Sequence, residues 1–222
     1  MGRINKGLLG AVSGRVGPVI GVIRKAMAIL RSQPNKSKKK ASEGQVLSRD
    51  QFGSVSALLR DFRSLIEIGF YNKKEPGTQM DKAIGWNLKH VFESEGAQVE
   101  PDLSKVVLSM GTLFRTTGAK LIPGPDKSLR LTWNDDEEQW SDAHQLLRGA
   151  DYLMMALRYK KDKKKDYVDL YKKEARRSDL EFNFHLEYAD IKQPVHVWLF
   201  FASEDMKTVS KSEYFKTMLI RD

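Results

Sequence analysis

The chain has 222 residues, enough for one large or two small domains, and its 38 Lys and Arg against 29 Asp and Glu give a formal charge of +9. It has no cysteine, which excludes a disulfide framework, thiolate zinc sites and a cysteine nucleophile. The charge is uneven: Arg3, Lys6, Arg15, Arg24, Lys25, Arg31, Lys36, Lys38, Lys39 and Lys40 stand in residues 1–40 with no acid, and the other 28 basic residues face all 29 acids, so the whole positive excess comes from this arm.

Within the arm, glycines at 7, 10, 14, 17 and 21 recur at alternating intervals of three and four, with Leu8, Leu9, Val12, Val16, Val19 and Ile20 between them. On a helix that spacing would make a smooth packing stripe. Five interior glycines cost about 4–5 kcal/mol against alanine, however, and Pro18 adds a break. The expectation is an extended, turn-rich arm that orders against a partner or the body, with Pro34 to Lys40 as a solvated linker. Arg3 and Lys6 before an apolar stretch have the look of a signal peptide, but Arg15 and the glycines interrupt its apolar core. No run approaches the roughly 20 apolar residues of a membrane-spanning helix, so no span is expected. A cytoplasmic or particle-associated product is expected ahead of an exported one.

The next segment is helical. Ser42-Glu43-Gly44-Gln45 fits a capping box, and Leu47, Phe52, Val55, Leu59, Phe62, Leu65 or Ile66, and Phe70 recur at the helical period. Pro76-Gly77 stops it, and Met80, Ile84, Leu88, Val91 and Phe92 mark a second amphipathic helix over roughly 79–94, giving a helical hairpin.

From about residue 103 the pattern becomes β-like: Lys105 to Met110, Ser128 to Trp133, Asp151 to Tyr159, Tyr167 to Tyr171, Leu180 to Leu186, Val195 to Ala202 and Tyr214 to Ile220. Turn signals separate the runs, and residues 140–150 could hold a short helix or an insertion. The predicted fold class is α+β: a basic arm and linker over 1–41, a helical hairpin over 42–100, and an antiparallel β-sandwich of immunoglobulin or fibronectin-III type over 101–222. The absence of cysteine argues only against the disulfide-bonded immunoglobulin form.

GLLGAVSGRVGPVIG at 7–21, LRSQP at 30–34, Ser42 to Phe52, IGFYNK at 68–73, WNLKHVF at 86–92 and VHVWLFFASEDMKTVSKSEY at 195–214 together resemble an uncharacterised family of roughly 200-residue Bacteroidota proteins with a Gly-rich basic N-terminus. The resemblance covers nearly the whole chain. Members show a Gly-Lys-Val-Gly-Thr-Val-Val-Gly-like core and an aromatic before the second basic residue; here Pro18 and Val22-Ile23 stand instead. The resemblance supports the segmentation and implies no activity.

Ser13-Gly14-Arg15 lacks the lysine and hydroxyl of a phosphate loop. His90, His144, His185 and His196 do not pair at ligand spacing, although His185 and His196 fall on candidate neighbouring strands and could face each other. Asp135 to Glu138 lacks the alternate spacing and glycine of a calcium loop and reads as a solvated turn. The basic run at 160–165 reads as a charged hairpin tip, which with Arg176 and Arg177 could extend a phosphate-binding surface. No catalytic residue, metal or cofactor is expected.

The arm is the remaining signal. Ten phosphate contacts on a duplex would give a salt slope of about −9, and half as many about −4 to −5. Lysine and arginine without aromatics attract the backbone and read no sequence. The expected function is that of a non-enzymatic structural or binding protein whose arm contacts nucleic acid, another polyanion or a neighbouring subunit, as in a virion or particle assembly component. The alternatives are a surface or adhesive β-sandwich that binds protein or carbohydrate, and a carboxylate-dependent hydrolase.

Overall fold

The computed structural model describes residues 2–4, 12–24, 27–35, 40–71, 77–92, 98–115, 117–134, 150–162, 165–186, 188–189 and 193–219. Contacts divide the chain into two units, Met1–Ser42 and Glu43–Asp222.

The first unit is a sheet. Strands β1 (Gly2–Ile4), β2 (Gly14–Val16), β3 (Val19–Arg24) and β4 (Met27–Ser32) pair antiparallel in the order β1-β4-β3-β2. The extended segment anticipated from the sequence is thus organised by its own hairpins. Val16 pairs with Val19, so Gly17-Pro18 is a two-residue turn. Gly17 has φ +58°, the left-handed value that a primed hairpin turn needs at its first central residue, and proline's fixed φ suits the second. Gly21 has another reason: a side chain there would run into the carbonyl of Val12. Turn geometry and close approach, not a helical stripe, account for these two glycines.

The larger unit begins with α1 (Glu43–Asp61), α2 (Arg63–Gly69) and α3 (Gln79–His90). The long helix expected from the periodicity is broken at Phe62, whose N–H bonds to the Leu59 carbonyl, one residue closer than an α-helix would place it. Val55, Leu58, Leu59, Phe62, Leu65, Ile66 and Phe70 are buried. Phe52, expected on this face, is 51% exposed. A reciprocal cap starts α3: Thr78 Oγ1 accepts from Asp81 N–H and Thr78 N–H donates to the Asp81 carboxylate, both at 3.0 Å.

Among the described residues seven strands follow: β5 (Thr117–Pro123), β6 (Ser128–Asn134), β7 (Tyr152–Asp162), β8 (Lys165–Arg176), β9 (Glu181–His185), β10 (Pro194–Ala202) and β11 (Glu213–Met218). They form two antiparallel sheets, β11-β10-β7-β8 and β5-β6-β9. Along β10, Trp198 and Phe200 join the helical residues in one cluster, whereas Val195, Val197, Leu199 and Phe201 join Leu129, Leu131 and Trp133 of β6 in another. The four-stranded sheet is therefore a middle layer, and burial on both faces explains why β10 is apolar almost throughout. The architecture is α+β.

One expected strand is absent. Leu103–Lys105 is a 3-10 turn, and the buried stretch that follows satisfies its backbone through side chains: Val107 N–H donates to Asn87 Oδ1 and Leu108 N–H to Ser212 Oγ, each at 2.9 Å. β5 was not anticipated, because it mixes Gly118, Lys120 and Pro123 with few β-branched residues.

Candidate nucleic-acid interface

Register sorts the N-terminal sheet into two unlike faces. Arg15 pairs with Ile20 and Ile20 with Arg31; Val22 pairs with Ile29 and Ile29 with Arg3; Arg24 pairs with Met27. Cross-strand partners share a face and alternate residues share a face, so positions 3, 15, 24 and 31 fall on one side, around Ile20, Val22 and Ile29. The opposite side holds Gly2, Ile4, Gly14, Val16, Val19, Gly21, Ile23, Ala28, Leu30 and Ser32, with no charged residue. Arg15 and Arg31 are exposed and stand two strands apart, about 10 Å by strand spacing. Arg15 also donates from Nε to the Gly17 carbonyl at 3.3 Å, which steadies it beside the turn.

Of the other basic positions, Lys40 is exposed just before α1, and Lys6, Lys25, Lys36, Lys38 and Lys39 lie outside the described residues. The two-sided sheet was not anticipated. The signal available for it was period two, with arginine at 15 and 24 in phase across the Gly17-Pro18 turn and Arg31 joining them through the pairing of β3 with β4. The glycine spacing, read at a helical period, concealed it.

The body departs from the sequence expectations at several polar sites. Arg177 does not extend a phosphate-binding surface: it is 4% exposed, its Nε lies 3.0 Å from the Asp151 carboxylate, and its Nη2 donates to the Phe114 carbonyl at 2.9 Å. Arg176 is turned to Tyr152, donating to its hydroxyl at 3.0 Å. His185 and His196 do not face each other, because β9 and β10 belong to different sheets. His185 lies 3.8 Å from Asp126, and His90 stacks on Trp86. Asp135 to Glu138 and His144 lie outside the described residues.

A cavity of about 550 Å³ lies among α1, β7, β8 and β10. Asp61, Glu100 and Asp166 line it together with Arg158, Lys160 and His196. Asp166 is engaged by Arg158 in an ion pair. His196 sits between Arg158 and Lys216 in register and lies 2.7 Å from the Tyr214 hydroxyl through Nδ1. Burial, reinforced by Lys216 and Arg158, holds its imidazole below the ordinary value. Tyr159, hydrogen-bonded to Asp169 at 2.7 Å, is pushed far up by burial and by that carboxylate, so its phenol keeps its proton.

Among the described residues no three His, Cys, Asp or Glu side chains converge as a metal site, and no helix is long and apolar enough to cross a membrane. No curated protein matches the chain. A family profile does match over residues 11–216, from just before β2 into β11, and its description assigns no function. The chain therefore belongs to the Family of unknown function (DUF6266).

Proposed function

We propose that this is a non-enzymatic binding or assembly protein in which the arginine-bearing face of the N-terminal sheet meets nucleic acid through its phosphates. The observation that carries this reading is the register that puts positions 3, 15, 24 and 31 on one side, with Arg15 and Arg31 exposed there, in a segment with no acid before Glu43. A strand-built surface can lie against a groove, and arginine pairs bidentately with phosphate oxygens. Four such contacts would set a salt slope of about −3 to −4. With no aromatic among residues 1–40, recognition is of the backbone and independent of sequence.

The second half of the reading concerns the uncharged face. Among the described residues every buried apolar side chain lies at Val55 or beyond, whereas Val16 is 56% and Ile23 51% exposed. A single-layer sheet needs one face covered to be stable. That favours a protein surface, such as a neighbouring subunit, on the apolar side, and suits a particle component that holds nucleic acid on the other. In the body, three strands stacked on four in the order β5-β6-β9 and β11-β10-β7-β8 support a fibronectin-III-like sandwich as the scaffold.

The test is a set of DNA and RNA isotherms at several salt concentrations for the wild type and for the Arg15→Ala/Arg31→Ala variant. The expected result is weaker binding for every sequence and a slope less negative by about 2. An unchanged slope in the double variant would overturn the reading. Sizing Val16→Ser/Ile23→Ser beside the wild type tests the apolar face; an unchanged association state removes the subunit contact.

A further inference from the structure

We infer that a second cavity, between α2 and α3, is a binding site for a nucleotide. It has a volume of about 540 Å³ and lies wholly within the larger unit. Two sequence segments that the arm does not explain converge on it: IGFYNK supplies Phe70 and Tyr71, and WNLKHVF supplies Trp86, Lys89 and His90. Met110 closes a side, 42% exposed.

The chemistry of the walls selects the ligand. Lys82, Gly85 and Lys89 follow one another at three and four residues along α3, so they form one stripe with the two lysines two turns apart and a glycine between them. A side chain at Gly85 would meet nothing within 4 Å, which makes it an open floor. Beside that floor Trp86 and His90 stack with ring centroids 3.9 Å apart and 13° between planes. The His90 ring is held by Nδ1 at 2.7 Å from the Trp86 carbonyl. Lys211 Nζ stands over the Trp86 ring, 5.6 Å from its centroid, outside the cavity lining. Tyr71 is 37% exposed.

Among the described residues no Asp or Glu lines this cavity, in contrast to the one beside β10, where three do. Fixed aromatic surfaces flanked by ammonium groups suit a planar base joined to a phosphate, the combination with which single-strand binders hold successive nucleotides. The volume suits one nucleotide unit, a chemistry shared by a free nucleotide and by one unit of a single strand. This assignment does not rest on the arginine face of the N-terminal sheet.

The test uses the full chain and amide NMR at low salt, titrating thymidine monophosphate, an oligothymidylate, inorganic phosphate and an acidic phenylalanine-containing peptide. The expected result is saturable shifts at residues 70–71, 82–90 and 110 with thymidine monophosphate, and binding at least tenfold tighter than inorganic phosphate because the base contributes. Gly85→Phe fills the floor while replacing glycine by a better helix former, and should abolish the shifts. Lys89→Gln should weaken binding several-fold and reduce its salt dependence. Arg15→Ala/Arg31→Ala should leave thymidine monophosphate binding unchanged, which separates this site from the arm. An oligothymidylate that binds more tightly than the monomer at the same residues identifies a strand as the source, and equal affinity identifies the free nucleotide. Absence of shifts, equal affinity for inorganic phosphate, tighter binding of the peptide, or wild-type binding by Gly85→Phe would each overturn the assignment.

Discussion

Arg177 and Asp151 form an ion pair at 3.0 Å with side chains only 5% and 6% exposed. The pair is supported on every side. Arg177 N–H donates to the Asp151 carbonyl at 2.8 Å, Trp133 Nε1 donates to the Arg177 carbonyl at 2.8 Å, and the guanidinium lies 4.2 Å from the centroid of the Phe201 ring. It thereby connects β6, the entrance to β7, the end of β8 and β10. Burial pushes the Asp151 carboxyl above its ordinary value and Arg177 pulls it back. Removing one partner leaves the other charged and buried, so Arg177→Ala or Asp151→Ala should cost about 3–5 kcal/mol. The joint replacement Arg177→Met/Asp151→Leu should cost less than either single change. Urea unfolding of the three variants measures this, and a simple sum of the single effects would refute the coupling.

Asn87 makes a second buried connection, between α3 and the chain at 106–108. It is fully buried, its amide nitrogen donates to the carbonyls of Ala83 and Val107, and its Oδ1 accepts from Val107 N–H, all at 2.9 Å. Leucine would strand the Val107 amide and carbonyl without solvent, and each unsatisfied group costs about 1–3 kcal/mol. Asn87→Leu should therefore lower stability by about 2–5 kcal/mol on that principle, with faster amide exchange at Val107. A variant as stable as the wild type would show that this segment is held by packing alone.

Glycines in the body separate into two kinds. A methyl group at Gly69 would strike the Leu108 carbonyl, and one at Gly111 the Val209 carbonyl; both obstacles are backbone. At Gly53 in α1 a methyl group would meet nothing within 4 Å. Gly53→Ala should raise stability by about 0.5–1 kcal/mol through helix propensity, whereas Gly69→Ala and Gly111→Ala should each lower it. Thermal unfolding of the three variants distinguishes the classes, and a stabilised Gly69→Ala would contradict the close approach.

How much of this was legible in the sequence depends on whether the signal was local. The runs around Leu129, Leu157, Phe184 and Phe200 became β6, β7, β9 and β10, because their β-branched and aromatic residues alternate or cluster as buried strands require. The change from arm to helix after residue 41 was also a local signal, with charge on one side and helical period on the other. The break at Phe62 was hidden because the apolar period continues through it unchanged. The run at 105–110 looked like a strand because it is apolar and buried, but its hydrogen bonds go to Asn87 and Ser212, far away in the sequence. Arg177 was invisible as a core residue for the same reason, since an arginine is buried only where a partner is brought to it. The arginine face of the N-terminal sheet lay between these cases: its alternation is local, but recognising it requires the turn at Gly17-Pro18 first.

His196 should make stability depend on pH. Burial comes first among the causes that lower its affinity for a proton, followed by Lys216 and Arg158 across the neighbouring strands, with Lys160 adding and Asp166 opposing. Burial also raises the Tyr214 phenol, helped by Asp102, so that group remains protonated and donates to the neutral Nδ1. The sign follows from linkage. Above the ordinary histidine value of about 6.5 both folded and unfolded chains carry a neutral ring, and the contribution is fully present. As pH falls below that, the unfolded chain takes up a proton that the folded chain resists, and stability declines until the folded-state value is passed. Urea unfolding at intervals from pH 7.5 to 5 should therefore show a loss of stability that is smaller in His196→Gln, which cannot titrate there. Equal losses in the two proteins would place the pH dependence elsewhere, and a wild type that gains stability over this range would reverse the assigned sign.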